Sequence, residues 1–184
     1  MKSKAIIFLV SIIILSIMVL SGCNNNETSS KRENDIATRY DKLLFLEDTP
    51  REFVEYLYSN PIDFTMKNEE ESSGIYSTKD INEFYSKYYD IWYDEMNTVY
   101  ANLRNQLTDE VKEILEESQK AWEEENQRDS ELWWYVFDKS KGHGSGDTSM
   151  IVIQSMDRVR VRTFLLAEYY YWLTGDFEFT YKAN

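Results

Sequence analysis

The sequence predicts an all-α fold: an antiparallel bundle of three long helices with two short N-terminal helices. Three observations carry this. No segment sustains strand alternation, and Pro occurs only 2 times in 184 residues. From Ser77 onward, apolar residues recur at helical spacing through three stretches separated by turn signals. The chain holds 14 Tyr, 9 Phe and 5 Trp but only 1 Cys, so its stability has to come from an aromatic core and not from internal disulfides.

The N-terminus reads as a targeting segment. Lys2 and Lys4 precede an apolar run from Ala5 to Leu20, and Leu20–Ser21–Gly22–Cys23 follows. This order resembles a bacterial lipoprotein signal, with residues 1–22 removed and Cys23 lipidated. Two acyl chains on one cysteine suffice for stable anchoring, which predicts attachment at the extracytoplasmic face of the cell membrane. Residues 23–34 form the lipidated cysteine and a polar tether. Removing the signal takes Lys2 and Lys4 from 20 basic residues and leaves all 33 acids, so the mature chain carries a net charge of about −15. That charge disfavours nucleic acid and favours basic partners.

Residues 35–76 are assigned to an N-terminal helical extension. Two short helices are expected, over 35–48 and 49–60, the second with Thr49 as N-cap and Pro50 at its first position. The stretch Met66–Ser77 has no apolar period and a Gly break, and is expected to be a loop. A domain over 77–184 follows. Ser77 and Asp80 stand in capping-box relation at the head of the first long helix, which ends at Leu107. Thr108 caps the second, running from about Asp109 to Asp138. The Gly-rich segment 139–149 breaks the chain before a last helix over about 150–174, where Gly175 supplies the stop. Asp176–Lys182 is expected to be an extended tail that packs back on the bundle.

On a helical wheel Val111, Leu115, Ser118, Trp122, Asp129, Trp133 and Val136 share one face, with Gln119 at its edge. Trp122 is therefore expected to be core, although glutamates flank it. Asp129 lies within this stripe, and Arg162 lies within a matching stripe of the last helix, while Arg160 points away. An unpaired buried charge is costly, so the two stripes predict a bidentate Asp129–Arg162 pair. The catalytic inventory is thin. His143 is the only histidine, and no phosphate loop or dinucleotide fingerprint occurs. No enzyme, metal or cofactor is expected.

Asn97, Tyr100 and Leu103 stand in an Asn-x-x-Tyr-x-x-Leu arrangement. Leu115, Gln119 and Trp122 follow as Leu-x-x-x-Gln-x-x-Trp, then a Gly-rich loop, then Arg162 ahead of Leu165 and Leu166. This pattern, over about Trp92 to Tyr170, resembles the LprI-type lysozyme inhibitors, small helical exported domains. It departs from them in lacking their cysteines, and its Arg128–Asp129 begins six residues after the Trp where the family usually has four. The resemblance implies an extracytoplasmic protein that acts by binding, with lysozyme, a related muramidase or another basic exported protein as partner. An envelope interaction module that binds another exported protein without inhibiting lysozyme is the alternative. Two loops are the candidate contact segments: Ser73, Gly74 and Tyr76, and His143, Gly144 and Ser145. The first resembles, one residue short, the Ser-Gly-x-x-Tyr loop of unrelated lysozyme inhibitors.

Overall fold

A computed structural model describes residues 45–75, 77–139 and 146–183, with the backbone alone at 146–148. Within them the chain is all-helical: α1 Arg51–Tyr58, α2 Pro61–Ser73, α3 Thr78–Gln106, α4 Asp109–Lys139 and α5 Gly146–Thr174. Cys23 and the tether lie outside the described residues, as does most of the helix expected over 35–48. Residues 45–48, at the end of that expected helix, form a bend and a turn instead.

The capping chemistry explains where the helices start and stop. Ser77 Oγ accepts from Asp80 N at 3.1 Å and Asp80 Oδ2 accepts from Ser77 N at 3.2 Å, the reciprocal capping box expected from the sequence. Gly175 closes α5 at φ 74°, a left-handed backbone that a Cβ would strain. The segment expected to be a loop is largely α2. Asn60 caps it, its Oδ1 accepting from Asp63 N at 2.8 Å, and Pro61 occupies the first turn. A single buried residue, Ile62, replaces the missing apolar stripe. Gly74, at φ 59°, is the stop. Thr49 does not cap α1: Pro50 holds that position, and the Thr49 hydroxyl donates to Glu168 Oε1.

α3 and α5 form the centre. Tyr88, Trp92, Met96, Val99 and Leu103 line one stripe of α3. They meet Met156, Val159, Phe164, Leu166 and Ala167 of α5, and Phe45, Phe53, Leu57 and Ile62 close the same core from the N-terminal side. Among the described residues, Phe45, Phe53, Leu57 and Ile62 thus share one core with α3, α5 and the tail residue Phe179. Side-chain pairs give the directions. Arg104 meets Glu116 and Gln119 meets Met96, so α4 runs against α3. Asn126 meets Arg158 and Ser118 meets Arg162, so α4 also runs against α5. This is the expected up-down-up order. α4 contributes only Leu115 and Gln119 as buried residues and reaches its neighbours through long side chains.

The tail after Gly175 packs back as expected, though without regular structure. Glu95, buried on α3, accepts from Thr180 N at 2.8 Å, Thr180 Oγ1 at 2.7 Å and Tyr181 N at 2.9 Å. This carboxylate clamps the strand-like end and seats Phe179 in the core. Hydrogen bonds to a charged acceptor are the strong kind. Glu95→Ala is expected to cost about 2 kcal/mol and to open the chain to proteolysis after Asp176. A wild-type digestion pattern would show that Phe179 holds the tail without the clamp.

Candidate functional site

The motif Arg158–Val159–Arg160–Val161–Arg162 organises the chemistry of the bundle. Positions four apart on a helix share a face and positions two apart do not. Arg158 and Arg162 therefore both reach α4, while Arg160 faces α2. Arg162 Nε donates to Gln119 Oε1 at 3.0 Å and its guanidinium also reaches Ser118 Oγ at 3.2 Å. Gln119 Nε2 in turn donates to Glu123 Oε1 at 3.1 Å. The Arg162 guanidinium lies 5.8 Å from the Trp122 ring centre, a cation–π distance. Burial lowers the pKa of Arg162 from its ordinary value.

Asp129 is not part of this arrangement. It is exposed, and the expected Asp129–Arg162 pair is replaced by the Gln119 and Ser118 contacts. Eleven residues of helix separate Ser118 from Asp129, roughly 16 Å of rise, well beyond the reach of an arginine already held at Ser118. Gln119 is not an edge residue but one of the two buried positions of α4. Trp122 is half-buried and packs against the core. Val111, Trp133 and Val136, expected on the buried stripe, are exposed, and so is Ser118.

Arg160, expected to point away, forms a half-buried ion pair with Asp63. Its Nε and Nη2 donate to Asp63 Oδ2 at 2.9 and 2.6 Å, and Nε also contacts Oδ1 at 3.0 Å. The guanidinium sits 4.6 Å from the Phe164 ring centre. This contact, which the sequence reading missed, ties α2 to α5.

Arg158 was also missed. Its Nε donates to Asn126 Oδ1 at 2.6 Å and its Nη2 to Ser130 Oγ at 2.9 Å. The i, i+4 spacing from Arg162 was the available signal. Beside it lies an open groove of about 410 Å³ between α3, α4 and α5, lined by Tyr89, Tyr93, Trp122, Asn126, Gln127 and Ser155 among others. Tyr89 and Tyr93 stack at 6.0 Å and 13°, and burial raises the Tyr89 pKa. The groove offers ring faces and amide edges, which bind planar or hydroxylated groups. It holds no paired nucleophile and base. Among the described residues, no cluster of His, Cys, Asp and Glu is arranged to hold a metal ion.

Of the remaining expected positions, Tyr100 and Leu115 pack in or against the core, and Asn97 is exposed. Ser73 and Gly74 form the exposed end of α2. Tyr76, His143, Gly144 and Ser145 lie outside the described residues.

The described residues form a small all-helical domain with a groove lined by aromatic rings and amides. The sequence model of the lysozyme inhibitor LprI family matches residues 69–168, more than half of the chain, and the protein belongs to that family. The match begins in the last turns of α2, well before Trp92, and spans all of α3, all of α4 and most of α5. No curated protein and no solved structure matches the chain.

Proposed function

We propose that the protein is an extracytoplasmic, lipid-anchored inhibitor of lysozyme or a related muramidase. The family membership carries this reading. Every Asp and Glu of α4 is exposed, so the stretch Asp109–Glu131 presents a net negative field to solvent. Such a field raises the encounter rate with a basic enzyme and falls off with salt. The contact segments are the acidic side of α4 together with Ser73 and Gly74 at the exposed end of α2, and with Tyr76 and His143–Ser145 from the two candidate segments. Cys23 holds the domain at the membrane.

A lysis assay tests it. The mature chain 23–184 carrying Cys23→Ser keeps every core residue and loses only the lipid. It is expected to slow the clearing of a cell-wall suspension by a basic lysozyme, and to do so less well as salt is raised. Absence of protection at a large molar excess, across several lysozyme types, would overturn the inhibitor reading. Release of wall fragments by the protein alone would replace it with an enzymatic one.

A further inference from the structure

The distal end of α4 is apolar on every side. Leu132, Trp133, Trp134, Tyr135 and Val136 are consecutive, so at 100° per residue they circle the whole helix. All five are exposed, from 37% for Trp133 to 63% for Tyr135. Met150, at the start of α5, adds an apolar side chain exposed to 46%. A helix that is apolar all round is normally buried in a core or in lipid, and the core formed by the described residues does not take in this stretch.

We propose that this tip inserts into the interfacial region of a lipid bilayer. Three observations select lipid over protein. A protein groove would cover one face of the helix, whereas the exposed ring of side chains needs an environment that surrounds it. Two Trp and one Tyr in five residues are the side chains that settle at the headgroup boundary, with a ring in the apolar layer and a polar edge in water. The charge also falls away locally. Leu132–Met150 carries Asp138 and Asp147 against Lys139 and Lys141 and is neutral, while Asp109–Glu131 is strongly acidic. The tip thus escapes the repulsion that keeps the rest of the protein off an anionic surface. A basic lysozyme would be drawn to the acidic length of α4, not to this end. A second copy is disfavoured because five side chains fall well short of the roughly 800 Å² per partner of a stable interface. No described helix is long and apolar enough to cross a membrane, so the tip would dip into the interface without spanning. This inference is independent of the inhibitor reading and of lipid at Cys23.

Vesicles test it, with the 23–184 chain carrying Cys23→Ser so that no acyl chain contributes. The chain is expected to co-sediment with phosphatidylcholine vesicles and with vesicles one-third phosphatidylglycerol, with a blue shift of tryptophan emission. Added salt should leave binding unchanged or strengthen it on the anionic vesicles, since repulsion by the acidic body is screened. Trp134→Ser with Tyr135→Ser should lower the partition coefficient by about tenfold or more. Trp172→Ser, an exposed indole about 33 Å away along α5, should not change it. Quenching of the unaltered protein by lipids brominated on the acyl chain gives a readout that needs no variant. Failure to sediment with either vesicle, unchanged binding in the double variant, or a mass that doubles with concentration only when the tip is intact would each overturn the proposal. Loss of lysozyme inhibition in the double variant without any vesicle binding would do the same, by making the tip a protein contact.

Discussion

Trp92→Ala is expected to be the most damaging single truncation, lowering the free energy of unfolding by about 3–5 kcal/mol. Trp92 is fully buried at the meeting point of three elements. On α3 itself, it meets Phe164 of α5 edge-on at 5.6 Å and 79°, and Phe179 of the tail at 6.1 Å and 80°. The Arg160 guanidinium approaches the same ring at 5.9 Å. Truncation would remove the wall that all three lean on, in a core of long helices that cannot collapse into the space without shifting. Its indole Nε1 has no acceptor among the protein atoms, so the ring volume and not a hydrogen bond is what the site needs. Trp92→Phe should therefore recover most of the loss. Urea melts followed by helical circular dichroism would measure both. A midpoint unmoved by Trp92→Ala would place the centre of the bundle elsewhere.

Most of the fold was legible because its punctuation is local. The Ser77–Asp80 box, the Leu107–Thr108 break and Gly175 each act through backbone groups within one turn, so no partner had to be known. α2 was missed for the opposite reason. Met66–Ser73 is polar with no stripe, and its helical state rests on Asn60 and Pro61 upstream and on a single apolar anchor, Ile62. The Asn–Pro start signal was present in the sequence but was not joined to a run that lacked a period. α5 misled the helical wheel in another way. It packs against α1 and α2, α3 and α4 at once, so its buried positions go most of the way round, and no polar side exists to orient the wheel.

The buried stripe of α4 was half right. The inward stripe runs through the buried Leu115 and Gln119 and the half-buried Trp122, Asn126 and Ser130, with Asp129 and Ser130 lying on its opposite edges at nearly equal angles from the centre. A wheel ranks the two alike. What separates them is that Arg158 approaches from the Ser130 side, a fact of tertiary packing that the spacing of α4 does not contain. Trp122 was read correctly as an inward residue among glutamates. What could not be read was that it would be only half-buried, forming one wall of a groove whose other wall is the Tyr89–Tyr93 stack on α3. The pairing of an arginine with an aspartate was the right idea applied to the wrong pair.

Asp63→Ala is accordingly expected to destabilise the protein by about 3 kcal/mol, while Asp129→Ala leaves it unchanged. Asp63 and Arg160 are each exposed to only 19% in their side chains. They meet through two guanidinium nitrogens, and Phe164 lies under the guanidinium. Removing the carboxylate leaves a cation over an aromatic ring with little access to water and without its directly paired acceptor, the Asp157 carboxylate being its remaining acidic neighbour, and that loss dominates the cost. The same logic makes a sharper test. Arg160→Met keeps an unbranched stem over Phe164 and removes the charge, so the double variant Asp63→Ala with Arg160→Met should be more stable than Asp63→Ala alone. A coupling of that sign, read from thermal or urea midpoints, would show that α2 is held to α5 by charge complementarity in a partly dry contact. Equal losses from Asp129→Ala and Asp63→Ala would instead return the ion pair to α4. Additive losses across the cycle would leave α2 docked by Ile62 and its neighbours in the core, with the arginine free to reach solvent when its partner is gone.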